Sequence, residues 1–235
     1  MRSIHHLLLI GPGKTGRHVP SFVDPINLTT IDSTTTQTDA LIAQADAAII
    51  FLPPDAMYGY IDPLIHRRCP AVIGTTAVSW PHNLHDRLTA ADTPWITASN
   101  FSIGMNLLYL LAAQLGHITR TQPEAFATAT AAIHETHHIH KKDKPSGSAL
   151  KLRDAFADPN LPVTSDREGD VAGQHRLTLD LPGEQLTLSH NVTDRSIFAR
   201  GAVWAAQHLL PDTPPGLHRF EDLLTRQLTT PTTNA

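Results

Sequence analysis

Four short apolar runs shape the first hundred residues, and their spacing fixes most of what the chain can fold into. Leu7–Ile10 ends directly on glycine, and Ala47–Leu52, Ala71–Ile73 before Gly74, and Trp95–Thr97 repeat the signature of a buried strand. Helix-length polar-to-amphipathic stretches lie between them: Asp39–Gln44, Pro54–Arg68 and Pro81–Ala91. Strands alternating with helices through short connections predict βαβ units and a parallel sheet. Ile26–Ile31 supplies a further strand.

The pattern changes after Asn100. Ile103–Leu115 reads as a long apolar helix, with Gly116 in the position of a residue that ends one. Phe126–Ile133 fits strand or helix. Gln174–Leu181 and Gln185–His190 alternate strictly around Pro182-Gly183-Glu184, as an antiparallel hairpin does. Ile197–Leu210 returns to helix, and Thr229–Ala235 reads as a frayed tail. The expected organisation is a parallel α/β half (residues 1–102 with 195–235) and an α+β insertion (103–194).

Composition narrows the function classes. The 235 residues carry a formal net charge of −4, which argues against a nucleic-acid binder with a broad basic face. No run approaches the ~18 apolar residues of a membrane span, and Leu7–Ile10 is too short for a secretion signal. The single cysteine, Cys69, permits no internal disulfide framework and suits a cytoplasmic protein. The fifteen histidines stand out, because several crowd into Ile133–Lys142.

Two segments carry chemistry. Gly11-Pro12-Gly13-Lys14-Thr15-Gly16 matches the G-x-G-x-x-G turn directly after a strand. Glycines there permit the tight turn and let backbone N–H groups approach a pyrophosphate. Asp32 lies 21 positions after Gly11, where an acid binds ribose hydroxyls. A plain turn is the bland alternative, favoured by Pro20 and Pro25, which shorten the next helix. Gly74-Thr75-Thr76 and Ala98-Ser99-Asn100-Phe101 follow later strands, where loops line a ligand crevice.

The second segment is His134–Ser148. Its first five residues satisfy H-E-x-x-H, a zinc hydrolase signature that works only on a helix, where His134 and His138 share a face. Basic residues and Pro145-Ser146-Gly147 cut off any such helix. A metal-free reading fits better: a cationic, proton-donating loop that grips a small dicarboxylate. Ser146 would cap a helix over Gly147–Phe156, and the N–H groups of Gly147 and Ser148 would cradle a carboxylate.

Glu135–Ala149 (ETHHIHKKDKPSGSA) resembles the signature loop of the bacterial dihydrodipicolinate reductases, E-x-H-H-x-x-K-x-D-x-P-S-G-T-A. Gly11–Arg17, Gly74–Thr76, Asn100–Asn106 (NFSIGMN), Arg167–His175 (REGDVAGQH) and Asp194–Ala199 (DRSIFA) are similar to further family segments in the same order. The resemblance implies a Rossmann-like parallel-sheet nucleotide-binding domain, rejoined by C-terminal helices, and a smaller α+β domain with an open mixed sheet. It implies reduction of 4-hydroxy-tetrahydrodipicolinate to tetrahydrodipicolinate by NADH or NADPH, with loss of water, in the diaminopimelate route to lysine, and a homotetramer. His137 and Lys141 match its proton donors, and His138, Ser146, Gly147 and Ser148 its substrate positions. Gly11 to Gly16, Asp32, Gly74–Thr76 and Ala98–Phe101 match its cofactor contacts. No metal is implied. Ser148 replaces a usual Thr, Ala77 a usual Gly and Ala172 a usual Pro, and the stretch between the second and third strands is short. Asp32 favours NADH, while Lys14, Ser33 and Thr34 could accept a 2′-phosphate. Within the same fold the runner-up is a reductase of another small imine. From other classes come the zinc hydrolase and a non-catalytic nucleotide sensor.

Overall fold

The computed structural model describes residues 3–230. The chain divides into two compact units, one running to Ser102 and resuming at Ser196, the other Ile103–Arg195.

The first unit is built on a six-stranded parallel sheet. Its strands are β1 (Leu7–Ile10), β2 (Leu28–Ile31), β3 (Ala47–Ile50), β4 (Ala71–Ile73), β5 (Pro94–Thr97) and β10 (Gly216–Arg219). They lie in the order β2-β1-β3-β4-β5-β10. β1 and β3 are apolar and wholly buried, as strands covered on both faces must be. Helices α1 (Thr38–Gln44), α2 (Pro54–His66) and α3 (Leu84–Ala90) make the connections. Met57, Ile61 and Leu64 of α2 pack with Leu84 and Leu88 of α3 into the core around Ile10, Ile50 and Trp95. Helices α6 (Ile197–His208) and α7 (Phe220–Thr229) complete this unit. Phe220 of α7 stacks on Phe101, ring centroids 4.9 Å apart.

The second unit is a mixed four-stranded sheet ordered β7-β6-β8-β9, backed by α4 (Ile103–Thr121) and α5 (Gly147–Phe156). β6 (Thr130–His137) runs parallel to β7 (Val163–Arg167) and antiparallel to β8 (Gln174–Leu181), which forms a hairpin with β9 (Glu184–Asn191). Met105, Leu108, Tyr109 and Ala112 of α4 meet Leu152 and Phe156 of α5 and Ile133 and Leu177 of the sheet. Among the described residues, no helix is long and apolar enough to cross a membrane.

Several expectations need correction. Gly116 does not end α4, which continues to Thr121. It is a contact residue: a Cβ there would stand 2.0 Å from the Phe156 carbonyl oxygen. The segment after the glycine-rich turn is not an α-helix but two 3-10 segments, Gly16–Phe22 and Pro25–Asn27. Pro20 lies inside the first and Pro25 opens the second, where the missing N–H and the fixed φ of proline disfavour a continuous helix. The second strand accordingly begins at Leu28 rather than Ile26. Phe126–Ala129 belongs to a turn, and the strand starts at Thr130. Thr229 ends α7 instead of opening a frayed tail, and residues 231–235 lie outside the described residues.

Candidate active site

In the first unit, the sequence-predicted cofactor residues follow the carboxyl ends of four parallel strands. Gly11–Gly16 follow β1, Asp32 follows β2, Gly74–Thr76 follow β4 and Ala98–Phe101 follow β5. The order β2-β1-β3 puts a topological switch between β1 and β3, where such sheets bind ligands. Gly11 has φ +90°, and a Cβ there would lie 2.4 Å from the Phe51 carbonyl oxygen. A Cβ on Gly16 would meet the Gly11 carbonyl oxygen at 2.2 Å, whereas the Cβ position of Gly13 is open. Two glycines therefore close the turn and the third leaves room for a ligand above it. A dinucleotide fits this set of residues.

The Asp32 side chain is organised before any ligand arrives. The Thr34 N–H (2.9 Å), Thr34 hydroxyl (2.7 Å) and Thr35 hydroxyl (2.9 Å) all donate to its Oδ1. The Thr34 hydroxyl leads these bonds in holding the carboxyl below its ordinary value. Thr34 is thereby turned toward the carboxylate. The Thr75 hydroxyl accepts from the Leu52 N–H, and Asn100 Oδ1 accepts from the Ser102 N–H, so both side chains fasten their loops. Phe101 is buried to 1 % exposure, its carbonyl packed against Gly201, so it anchors its loop in the core rather than meeting a ligand. Ala77, where the family pattern has Gly, stands at φ +59°, the left-handed region a glycine would adopt freely.

The histidine segment begins as a strand, and that decides how its residues face. On β6 alternate side chains share a face, so Ile133, Glu135 and His137 point together into the second unit. His134 faces the other way, with Nδ1 2.9 Å from the Thr164 hydroxyl and Nε2 3.3 Å from Asp166 Oδ2. His134 and Glu135 therefore sit on opposite faces, and the helical geometry that H-E-x-x-H requires is absent. The zinc hydrolase reading falls on that ground.

Sheet register then brings distant residues to Glu135. Ser165 of β7 and His175 of β8 pair with it, Arg167 pairs with His137, and His190 of β9 pairs with His175. Glu135 has 0 % exposure. Its Oε1 accepts from the Ser146 N–H (2.8 Å) and from Arg167 Nη2 (3.3 Å). Its Oε2 accepts from the Ser146 hydroxyl and lies 3.1 Å from His137 Nδ1 and 3.8 Å from His175 Nε2. Burial pushes the carboxyl up, but the adjacent His137 ring and the bonds from the Ser146 hydroxyl and N–H override it and hold Glu135 ionised, well below the carboxylate range. Burial first, and then the neighbouring His137, push His175 down to about 4, so it is neutral at pH 7.

Glu135, His137 and His175 offer ligand-type atoms within 4.8 Å of one another. A cation there would face the Arg167 guanidinium, which already holds the carboxylate.

The loop after β6 continues from this network. Arg167 donates to the carbonyls of Lys141 (3.3 Å) and Asp143, fixing its path. Lys141 Nζ meets Asp143 Oδ1 at 2.8 Å. Lys141 first, and further on the Asp143 and Gly147 N–H groups, hold the Asp143 carboxyl low against partial burial. Ser146 caps α5 by accepting from the Ala149 N–H (3.1 Å), and the Cβ position of Gly147 is open. Ser146 spends its own N–H and hydroxyl on Glu135, so it has no donor left for a substrate, and the expected anion contacts at this helix start fall to Gly147 and Ser148. Burial, then Arg195, His137, His140 and Lys141, lower His138, as expected of a crowded cationic surface. Arg167, His175 and Arg195 carry no local motif of their own. Their partners lie on other strands or loops, and the only signal was their position in the two later family-like segments.

A family model described as "Dihydrodipicolinate reductase, C-terminus" matches residues 104–224. The chain belongs to the dihydrodipicolinate reductase family. It is similar to the 4-hydroxy-tetrahydrodipicolinate reductase of Xylella fastidiosa (strain 9a5c), 34 % identical over 187 residues, covering 79 % of this chain and 76 % of that one. The reductase of the same name from Stenotrophomonas maltophilia (strain R551-3) is 37 % identical over 183 residues, 76 % of this chain and 72 % of the relative. In fold it is similar to a dipicolinate-bound dihydrodipicolinate reductase from Paenisporosarcina sp. TG-14, with TM-score 0.74 and 19 % identity over 94 % of this chain and 99 % of that one. The family's two-domain α/β architecture is thus the architecture of this chain.

Proposed function

We propose that this chain reduces 4-hydroxy-tetrahydrodipicolinate to tetrahydrodipicolinate with loss of water, the reductive step of the diaminopimelate route to lysine. The observation that carries the reading is the buried His137, set 3.1 Å from Glu135 at the root of a cationic loop, in a chain of this family. When bound to the first unit, a nicotinamide cofactor supplies the hydride. The chain's own residues do the rest. Gly147, Ser148 and His138, with Lys141 beside them, bind the small dicarboxylate. His137 and Lys141 supply the protons that neutralise the reduced substrate, a contribution of roughly 10²–10⁴-fold for a positioned acid. Partner expectations extend to a homotetramer.

NADH is the preferred coenzyme in this account. An ionised Asp32 accepts from ribose hydroxyls and repels a 2′-phosphate, and Thr34 is already turned to that carboxylate. Asp32→Ala is expected to raise the Kd for NADH about tenfold or more while leaving NADPH binding the same or tighter. Fluorescence titration of both coenzymes checks this, and equal loss for both would make Asp32 a turn residue only. The reading as a whole is tested by a coupled assay with enzymatically generated substrate, following oxidation of NADH and NADPH in parallel. Substrate-dependent oxidation, faster with NADH, is expected. Coenzyme binding without turnover would make the chain a nucleotide sensor.

A further inference from the structure

We propose that Glu135 is a positioning residue for proton transfer, holding His137 by its Nδ1 edge so that Nε2 is the atom that faces substrate. The inference rests on the reductase reading above and adds a residue and an atom to it.

Four observations support it. Glu135 and His137 lie two positions apart on one face of β6, both buried, at 0 % and 7 % exposure, so neither can turn to water. The carboxylate oxygen Oε2 stands 3.1 Å from Nδ1, a charge contact rather than an aligned hydrogen bond, and so occupies that side of the ring. On the opposite edge stands Gly173, where a Cβ would lie 3.1 Å from Nε2 and 3.3 Å from Cδ2. A side chain at position 173 would crowd Nε2, and glycine leaves it open. Finally, Glu135 cannot swing away, because the Ser146 N–H and hydroxyl and Arg167 hold both its oxygens. Since Ser146 also caps α5, one carboxylate ties the proton donor to the helix start that carries Gly147 and Ser148.

The remaining charged or titratable neighbours do not take over this role. His175 packs edge-on to His137 at 5.1 Å between centroids and is neutral, so it brings no competing charge to the carboxylate. His190 lies beyond His175. Lys141 and His138 belong to the loop that follows His137, where Lys141 pairs with Asp143, and Arg167 faces Glu135 Oε1 rather than Oε2.

In the proton transfer itself, cationic His137 gives its Nε2 proton to the atom of the reduced substrate that holds the new electron pair. The ring is left neutral, with its remaining proton on Nδ1 toward Glu135. Solvent then restores the Nε2 proton. A fixed carboxylate beside Nδ1 selects that tautomer and keeps that edge of the ring from substrate.

The test compares wild type, Glu135→Gln, Glu135→Asp, His137→Gln and the double variant E135Q/H137Q. Each is read by kcat and KM across pH, with NADH Kd and Tm measured alongside. E135Q is expected to lower kcat by about 10- to 1000-fold, with NADH Kd and substrate KM within about twofold. Its pH profile should differ from that of wild type, because the charge beside the ring is gone. E135D should recover part of both effects. In the H137Q background, E135Q should add less than about twofold, since the residue acts through His137. An unchanged pH profile in E135Q, or an equal loss in both backgrounds, overturns the inference and leaves Glu135 as packing. Should E135Q fail to fold, Gly173→Ala tests the other edge of the ring. A kcat loss of about tenfold with intact NADH binding is expected there, and unchanged kcat overturns the role of Nε2. Absence of wild-type turnover would overturn the functional reading itself, and this inference with it.

Discussion

His137→Ala is expected to lower kcat by about 10²–10⁴-fold while the Kd for NADH stays within about twofold. The expected size follows from what the side chain supplies. Reduction of a conjugated imine leaves an electron pair that must be protonated, and a buried imidazole paired with an ionised carboxylate is a donor fixed in place. The ring belongs to the second unit, whereas the glycine-rich turn and Asp32 belong to the first, so coenzyme affinity should not follow the loss of turnover. Steady-state kinetics with fluorescence titration separates the two quantities. A variant that keeps its turnover would remove His137 from the mechanism, and one that loses both would point to a folding defect instead.

The second large effect is on stability. Arg167→Leu is expected to lower the unfolding free energy at pH 7 by about 3–5 kcal/mol, because it leaves the buried Glu135 carboxylate without its cation. It also releases the carbonyls of Lys141 and Asp143, so the cationic loop should lose protection from hydrogen exchange. The pH dependence has a definite sign. The folded Glu135 carboxyl sits below its unfolded value, so in acid the unfolded chain binds the extra proton. The stability it contributes is present above the ordinary carboxylate value and is lost as pH falls below it. His175, at about 4 in the fold against 6.5 in the unfolded chain, adds a loss as pH falls through that window. Wild type should therefore weaken steadily from about pH 6.5 downward. The gap to Arg167→Leu should narrow in acid, where Glu135 can protonate and no longer needs the cation. Urea unfolding at several pH values measures both trends, and a gap of constant size would contradict the ion-pair account.

Much of this fold is legible in the sequence because burial on both faces writes a strong signal. Leu7–Ile10, Ala47–Ile50 and Ala71–Ile73 are apolar throughout, and the Gln174–Leu181 strand alternates as a one-sided strand should. The elements that escaped notice lack that signal. Val163–Arg167 is polar and half-exposed at the sheet edge, and only its pairing with β6 makes it a strand. Gly216–Arg219 follows two prolines and is held by pairing with β5. Gly116 resembles a helix end because local sequence cannot reveal that the Phe156 carbonyl needs the space.

The candidate site divides in the same way. The glycine turn, Asp32 and the histidine loop are contiguous motifs whose residue types carry their own chemistry. Glu135 stands in the metal-like motif and opens the family-like loop, but its role is not legible there, since its partners Ser146 and Arg167 stand 11 and 32 positions away. Strand register, not sequence proximity, brings Ser165, Arg167 and His175 to it.

The central claim, hydride transfer to a cyclic imine by this chain, is tested most directly by following the hydride. The protein is supplied with enzymatically generated 4-hydroxy-tetrahydrodipicolinate and NADH carrying deuterium at both C4 positions, and the product is weighed by mass spectrometry. The account predicts tetrahydrodipicolinate one mass unit heavier than that formed with ordinary NADH, in amounts equal to the NADH oxidised. Product of unchanged mass, or NADH left unoxidised in the presence of substrate, would contradict it.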